Sequence, residues 1–459
     1  MNSVFVNSQS MVRKKEQFDT VIIGLGTTGM SCVRYLSAKG ESFAVADNRS
    51  KPTELESLQS IYPDVPVYLG TFDKHMLCAA HRLIVSPGVA LSDPAIETAI
   101  EQGVQVTGDV ELFCRHVSTP IIAITGSNGK STVASLLYEM INASGKHAAL
   151  GGNIGTPVLD LIRSETPDFY VLELSSFQLE TVCSLNAVAA VVLNITEDHM
   201  DRYSGIRDYS LAKTKIYAGD GTMVINLDDE ITIAIDRRGR DSVCYSVTES
   251  GAGIFSVHDV NGERMLVYGE TGLMAVSDLP VQGDHNISNC LAALALGSII
   301  GLPMEKMLDV LKRFPGLPHR CRWIANIKGV DWYDDSKGTN VGASCAAIGS
   351  LSGQHDLILI AGGIGKGADF TRLADVARDR VRAVILIGRD ANLLAQAFKD
   401  VVPVYFATAL DAAVFAAADL AQAGDAVLLS PACASFDMFI DYRARGDAFI
   451  RAVGELERS

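Results

Sequence analysis

Ile121-Ile122-Ala123-Ile124-Thr125-Gly126-Ser127-Asn128-Gly129-Lys130-Ser131-Thr132 is the stretch on which the fold turns. Four apolar residues read as a buried strand, the glycines as a loop, and the residues from Ser131 onward as a helix. A loop of this kind between strand and helix wraps phosphates with backbone N–H groups. Lys130 would then neutralise the outer phosphates of a nucleotide and Ser131 would ligate a magnesium ion. The widespread form of the motif has a glycine five residues before Gly129. Ile124 stands there instead, so the loop is a variant.

Working outward, strands are expected at 170–174, 189–193 and 223–225, with a long alanine-rich helix over 288–300. Upstream, a strand at 20–23 runs into Gly24-Leu25-Gly26-Thr27-Thr28-Gly29, a helix over 30–39 and a second strand at 43–46 ending at Asp47. A later strand at 83–85 is followed by Ser86-Pro87-Gly88. Downstream of Gly316-Leu317-Pro318, strands at 330–333, 357–361, 383–387 and 426–429 alternate with helical segments. The expected organisation is α/β throughout, with three units in series. They follow a polar leader at 1–18 and cover 19–110, 111–316 and 317–459.

Composition narrows the class. The 459 residues are 48% hydrophobic and 20% charged, as in soluble globular proteins. The net charge of −15 repels phosphate backbones and argues against a nucleic-acid partner. Nine cysteines, none at CxxC spacing, read as reduced thiols. No signal-peptide pattern and no apolar run of about 20 residues occurs, so a cytoplasmic protein without membrane insertion is expected.

Several polar groups follow strands of the middle unit. Glu173 lies in Leu172-Glu173-Leu174-Ser175-Ser176-Phe177-Gln178-Leu179-Glu180, and His199 in Asn194-Ile195-Thr196-Glu197-Asp198-His199-Met200-Asp201. The C-terminal ends of parallel strands share one edge, so Lys130, Glu173 and His199 can converge there on a magnesium nucleotide. In the last unit Asp334-Asp335-Ser336-Lys337-Gly338-Thr339-Asn340 forms a polar loop in which Lys337 and Thr339 could receive an anionic substrate. Gly362-Gly363-Ile364-Gly365-Lys366 and Ser430-Pro431-Ala432-Cys433-Ala434-Ser435-Phe436-Asp437 belong to the same edge. Taken alone, GLGTTG with Asp47 reads as a dinucleotide fold in which the acid accepts from a ribose hydroxyl. An NAD-linked oxidoreductase and a non-catalytic nucleotide-binding regulator stay open on that basis.

The segments in order are GLGTTG (24–29), TGSNGKST (125–132), GGNIGTP (151–157), LELSSFQLE (172–180), NITEDHMDRY (194–203), LAKTKIY (211–217), GDHN (283–286), GLPHR (316–320), DDSKGTN (334–340) and LLSPACASFD (428–437). As a set they resemble the Mur ligase family, ATP-dependent amide-bond-forming enzymes of peptidoglycan synthesis. The resemblance implies a Rossmann-like first domain that holds UDP and a central P-loop-like ATPase domain with a mostly parallel sheet. It also implies a Rossmann-like C-terminal domain that binds an amino acid and closes on the others.

By this resemblance Thr27, Thr28, Asp47, Asn48, Arg49 and Gly88 line the uridine diphosphate site, and Asn153 lies beside the muramoyl-alanine end. ATP is implied at Gly126, Ser127, Asn128, Gly129, Lys130, Ser131 and Thr132, with Asn286, Asn289, Arg320 and Asp335 bridging to the third domain. Ser131, Glu173 and His199 are implied around two Mg2+ ions, together with Lys213 carried as a CO2-derived carbamate. From the residues alone Lys213 is a surface helix lysine, and Lys215 would serve equally. Lys130, His199 and Lys213 are the implied catalytic residues. Lys337, Thr339, Lys366, Ser435, Phe436 and Tyr442 match a D-glutamate pocket. The segments SSFQLE and DSKGTN favour D-glutamate addition to UDP-N-acetylmuramoyl-L-alanine over other members or a folylpolyglutamate synthase. A monomer is expected.

Overall fold

Thr20–Ile23, buried along its whole length, is strand β1 of the computed structural model, which describes residues 18–162, 165–235, 239–260, 262–281, 283–351 and 356–456. The expected leader lies outside these residues apart from Phe18. The chain forms two compact units, the first ending at His116 and the second starting at Val117.

In the first unit β1 is flanked by β2 (Phe43–Asp47) and, beyond it, β3 (Val67–Leu69). On the other side lie β4 (Arg82–Val85) and β5 (Gln105–Thr107). The order β3-β2-β1-β4-β5 is parallel at every pairing, the arrangement of a Rossmann-like sheet. Gly24 to Gly29 turn the chain from β1 into the helix Thr27–Ala38. A Cβ on Gly29 would lie 2.0 Å from the Gly24 carbonyl oxygen, so helix and strand meet at backbone contact there.

The second unit holds two sheets. Strands β6 (Ile121–Thr125), β7 (Ala148–Gly152), β8 (Phe169–Glu173), β9 (Ala189–Val192), β10 (Thr222–Asn226) and β11 (Ser242–Tyr245) begin the central one. It continues with β12 (Ile254–Val260), β13 (Glu263–Tyr268) and β14 (Thr271–Ala275). Among the described residues its order is β14-β13-β12-β11-β10-β9-β6-β8-β7. Pairing is parallel from β7 to β12 and antiparallel across β12, β13 and β14. The helices Lys130–Ala143 and Asp284–Ile299 cover one face. Every residue from Asn289 to Gly297 is buried, because alanines on successive turns allow the second helix to approach both sheet and neighbour closely.

The third sheet contains β15 (Arg322–Ile327), β16 (Val330–Asp334), β17 (Leu357–Gly362), β18 (Val381–Ile387), β19 (Val404–Phe406) and β20 (Ala426–Leu429). Its order among the described residues is β15-β16-β20-β17-β18-β19, antiparallel only at β15–β16. Strand β20 thus lies between β16 and β17, and the loops after all three emerge together. No described helix is long and apolar enough to cross a membrane.

The contact at Gly29 is rigid on both sides. Gly29→Ala should lower the stability of the first unit by about 1–3 kcal/mol, the usual cost of overpacking. Thermal unfolding of the full chain followed by calorimetry would test this, and an unchanged first transition would contradict it.

Candidate active site

The phosphate loop after β6 is built on glycine geometry. Gly129 sits at φ +83°, and a Cβ there would lie 2.2 Å from Asn289 Oδ1 at the start of the second covering helix. Asn289 and Asn286 are thereby placed beside the loop. Lys130, the first helical residue, folds back to donate from Nζ to the carbonyls of Gly126 (2.8 Å) and Ser127 (3.0 Å). Ser131 and Thr132 follow, both buried.

Lys213 is the sharpest departure from the residue-level reading, which put it on the surface. It is only 1% exposed, whereas Lys215 points outward and donates to the Glu180 carbonyl. In the helix Ile206–Thr214 the buried residues are Tyr209, Ala212 and Lys213, spaced three and four apart on one face. Lys213 Nζ donates to the Gly126 carbonyl (2.9 Å), the same oxygen that accepts from Lys130. Burial drives the Lys213 pKa far below the usual lysine value, and Lys130 adds to the effect against Asp198 and Glu173. Burial also lowers Lys130, opposed by Glu173 and Asp198.

Glu173 ends β8 and is 2% exposed. Its Oε1 accepts from Asn153 Nδ2 (2.8 Å). Its Oε2 is buried with no hydrogen-bond partner among the described residues. His199 has a left-handed backbone (φ +59°) and its ring packs edge-on against Phe177 at 4.7 Å. Burial brings the His199 pKa down to about 4 although Asp198 favours the cation, leaving a neutral imidazole. Among the described residues no three His, Cys, Asp or Glu side chains gather as a metal cage. Magnesium is commonly held by one or two carboxylates with substrate phosphates supplying the rest. An unsatisfied buried carboxylate oxygen beside a phosphate loop fits that demand.

The third sheet adds its loops to this centre. Asn340 exchanges hydrogen bonds with Asn128 of the phosphate loop, and Lys366 is ion-paired with Asp198. Burial would raise the Asp198 pKa, but Lys366 and His199 outweigh it and hold the carboxyl below its usual range. Neither Asp198 nor Asn340 stood out in the sequence, although both lie within quoted motifs; an irregular loop has no period to tell which of its acids turns inward.

Lys337 lies on the Tyr442 ring, Nζ 4.1 Å from the centroid, a cation–π contact. Burial, with Arg320 and Lys130 nearby, lowers the Lys337 pKa to about 8. A cavity of about 180 Å³ is lined by Asn128, Gly129, Asn289, Arg320, Asp335 and Lys337. Its neighbour, about 450 Å³, shares Thr132, Asn286 and Arg320 and extends to Leu317, Trp323 and Tyr333. Thr339 is half-buried and Ser435 buried, but Phe436 is 71% exposed and lines neither cavity. Behind this wall Arg445, 1% exposed, donates to Ser336 Oγ, Ser336 O and Cys433 O, joining the 334–340 and 430–437 loops.

In the first unit Thr27 and Thr28 open a helix whose N-cap, Gly26, has no side chain to spend on the leading N–H groups. Those donors and the helix dipole favour an anion. Asp47 is committed internally: it accepts from Leu25 N (2.7 Å), Arg49 N (2.8 Å) and the Arg49 guanidinium (2.7 and 2.9 Å). Burial would raise its pKa, but Arg49 and the backbone donors hold it below the usual value. Asn48 and Gly88 are exposed at the same strand ends.

Asp335 offers a test of the electrostatics. It accepts from Ser430 Oγ (2.6 Å) and Cys321 N (3.1 Å), yet burial raises its pKa to about 7 despite Ser430 and Arg320. A carboxyl that binds its proton more tightly folded than unfolded subtracts stability as pH rises from about 4 to about 7. Asp335→Asn should therefore melt above the wild type at pH 8 and show no such gain at pH 4. Thermal midpoints of both proteins without nucleotide would show it; a pH-independent difference would refute the assignment.

Comparison with known proteins places this architecture. Residues 18–108 match the MurD-like N-terminal domain of Mur ligases, 124–297 the Mur ligase middle domain and 319–433 the Mur ligase glutamate ligase domain. A UDP-N-acetylmuramoylalanine--D-glutamate ligase of Nitrosococcus oceani is 51% identical over 437 residues, covering 95% of this chain and 96% of that one. Its namesake from Pseudomonas putida is 51% identical over 438 residues, covering 95% and 97%. Among solved structures, UDP-N-acetylmuramate-alanine ligase MurC from Thermotoga maritima has a TM-score of 0.61 at 17% identity over 96% of this chain and 100% of its own. MurF ligase from Thermotoga maritima in complex with ADP has a TM-score of 0.60 at 15% identity, with 96% of each chain covered. These two share the fold. The chain, matched in all three parts and half identical to ligases along nearly its whole length, belongs to the Mur ligase family.

Proposed function

We propose that this chain joins the amino group of D-glutamate to the carboxylate of UDP-N-acetylmuramoyl-L-alanine, with ATP cleaved to ADP and phosphate, in the cytoplasmic synthesis of peptidoglycan precursors. The carrying observation is the cavity between the glycine loop and the 334–340 loop, lined by Gly129 and Lys337, with Lys130 of the glycine loop close enough to help lower the Lys337 pKa. The half-identical relatives named for D-glutamate addition supply the substrate.

A carboxylate resists attack by an amine because its leaving group would be oxide. Transfer of the γ-phosphoryl group replaces that with phosphate: the bond to ADP breaks and an acyl phosphate forms. The amine nitrogen then bonds to the acyl carbon, the C–O bond to phosphate breaks, and the nitrogen loses a proton. Phosphoryl transfer needs positioning and charge stabilisation above all. Lys130, held over the loop by the Gly126 and Ser127 carbonyls, is set to exchange those weak acceptors for phosphate oxygens. Asn286, Asn289, Arg320 and Thr132 would receive the rest of the nucleotide in the two adjoining cavities.

Glu173, Ser131 and His199 would hold two magnesium ions, which when bound spread the charge of the transferring phosphoryl group. Lys213 as a cation is no metal ligand. Its lowered pKa supplies the free amine that adds CO2 and loses a proton to give a carbamate, an anion in place of a cation. Lys337, with Tyr442 behind it, and Lys366, Thr339 and Ser435 form the amino-acid side. Phe436 would join only by leaving its exposed position. The Gly26–Thr28 turn and Arg49 would hold UDP, Gly88 and Asn48 edging that site, and Asn153 would meet the muramoyl-alanine end. The enzyme acts as a monomer in this reading.

Lys130→Ala should fold normally and lose at least about 100-fold in kcat for substrate-dependent ADP release, a typical cost of removing one transition-state donor. Mass spectrometry of the product from UDP-N-acetylmuramoyl-L-alanine, ATP and D-glutamate tests the reaction itself. Lys337 yields a pH effect. Its ammonium is present below about pH 8 and lost above it, so the KM for D-glutamate should climb through that pH in the wild type. Lys337→Arg should flatten the climb, and identical profiles for the two proteins would contradict the role given to Lys337.

A further inference from the structure

Asn340 has no role in the reading above, yet it occupies a junction of three elements. It is 5% exposed and all its amide hydrogen-bonding capacity is used. Its Oδ1 accepts from Ala343 N (2.9 Å), capping the helix Val341–Leu351 that follows the 334–340 loop. The same oxygen accepts from Asn128 Nδ2 (3.3 Å), and Nδ2 donates to Asn128 Oδ1 (3.1 Å). The second proton of Nδ2 goes to Asp198 Oδ2 (3.1 Å), whose other oxygen is held by Lys366. Asn128 is itself fixed in the phosphate loop, its N–H donating to Asn194 Oδ1 (2.8 Å) and its carbonyl accepting from Asn194 Nδ2 (3.1 Å).

The backbone at Gly342 also lies close against side chains of these loops. A Cβ at Gly342 would lie 2.8 Å from Thr196 Oγ1 and 3.3 Å from Asn128 Nδ2. The helix start is therefore seated directly on the loops that carry Asn128 and Asp198. A reciprocal pair of amides fixes both separation and rotation, because each must present donor and acceptor together. A single ion pair such as Lys366–Asp198 fixes neither, since an ammonium can bond in several directions.

We propose that Asn340 is a positioning residue that sets the register between the phosphate loop and the amino-acid domain, acting through Asn128 and Asp198 and touching no substrate. This inference rests on the ligase reading, in which an amine delivered by the third-sheet loops must meet an acyl group activated at the phosphate loop. A misplacement of about 1 Å at such a junction is enough to cost 100-fold in rate.

The test separates register from capping. Asn340→Ser keeps an oxygen that can accept from Ala343 N, as good helix caps do, but is too short to bridge to Asn128. Its thermal midpoint should stay within about 3 °C of the wild type, less than a shift of 1 kcal/mol produces in a smaller domain. Its kcat for D-glutamate-dependent ligation should fall about 10–100-fold. The double variant Asn128→Ala/Asn340→Ser should be no slower than the slower single variant, as expected of groups acting as a unit. Amide hydrogen exchange without substrate should show faster exchange at residues 126–130 as well as at 341–344 in Asn340→Ser. A kcat within threefold of wild type, multiplicative losses in the double variant, or exchange altered only at 341–344 would each overturn the proposal. Exchange needs no turnover, so a wild type that fails to consume D-glutamate would sink the ligase reading while the exchange result still judges the register.

Discussion

Two lysine side chains converge on one carbonyl oxygen, that of Gly126, and the architecture of the second unit is arranged around that meeting. Lys130 and Lys213 reach it from two different helices. Both are desolvated, so a charge on one is weakly screened from the other and disfavours a second, which is part of why Lys213 falls so far below the usual lysine pKa. Counter-charge has to come from nearby, and the parallel sheet supplies it at strand ends: Glu173 closes β8, and Asp198 lies in the segment after β9. With two lysine side chains over a carbonyl and two acids nearby, a bound anion would replace weak neutral acceptors with strong charged ones.

One of these acids, Asp198, ties the third sheet to the central one. Asp198 receives Lys366 on one oxygen and Asn340 on the other, and these donors together with His199 outweigh its burial and hold its pKa below the usual range. This junction thus includes the directional amide contacts of Asn340 as well as the Lys366–Asp198 ion pair. Arg445 plays a similar part within the third-sheet domain, where one guanidinium satisfies carbonyls from the 334–340 and 430–437 loops.

Much of this was legible from the chain. The strands that precede the motifs are short apolar runs bounded by glycine, and their positions follow from composition alone: the segments expected at 43–46, 83–85 and 426–429 are β2, β4 and β20 nearly residue for residue. The β12–β14 meander was not. Ile254–Val260 and Glu263–Tyr268 carry Ser256, His258, Asp259, Glu263 and Arg264 among their apolar residues, and an antiparallel edge with one face in water gives a weak pattern. Lys213 was illegible for another reason. In the helix Ile206–Thr214 Leu211 is exposed and Lys213 is buried, which inverts the rule that places lysine outside. The ribose role suggested for Asp47 could not be weighed from sequence either, because Arg49, two residues on, turns back on it only in three dimensions.

The position of β20 bears on how the chain is made. Strands β16 and β17 never pair with each other; each pairs with β20, whose residues lie near the C-terminus. As a ribosome releases the chain, the Asp335–Thr339 and Gly362–Lys366 stretches thus lack a common frame until Ala426–Leu429 has emerged. Domains preceding this point can fold during synthesis, but the loops of the third sheet wait for the last few dozen residues. A nascent or truncated polypeptide lacking them would hold an intact phosphate loop and have nothing to bring to it.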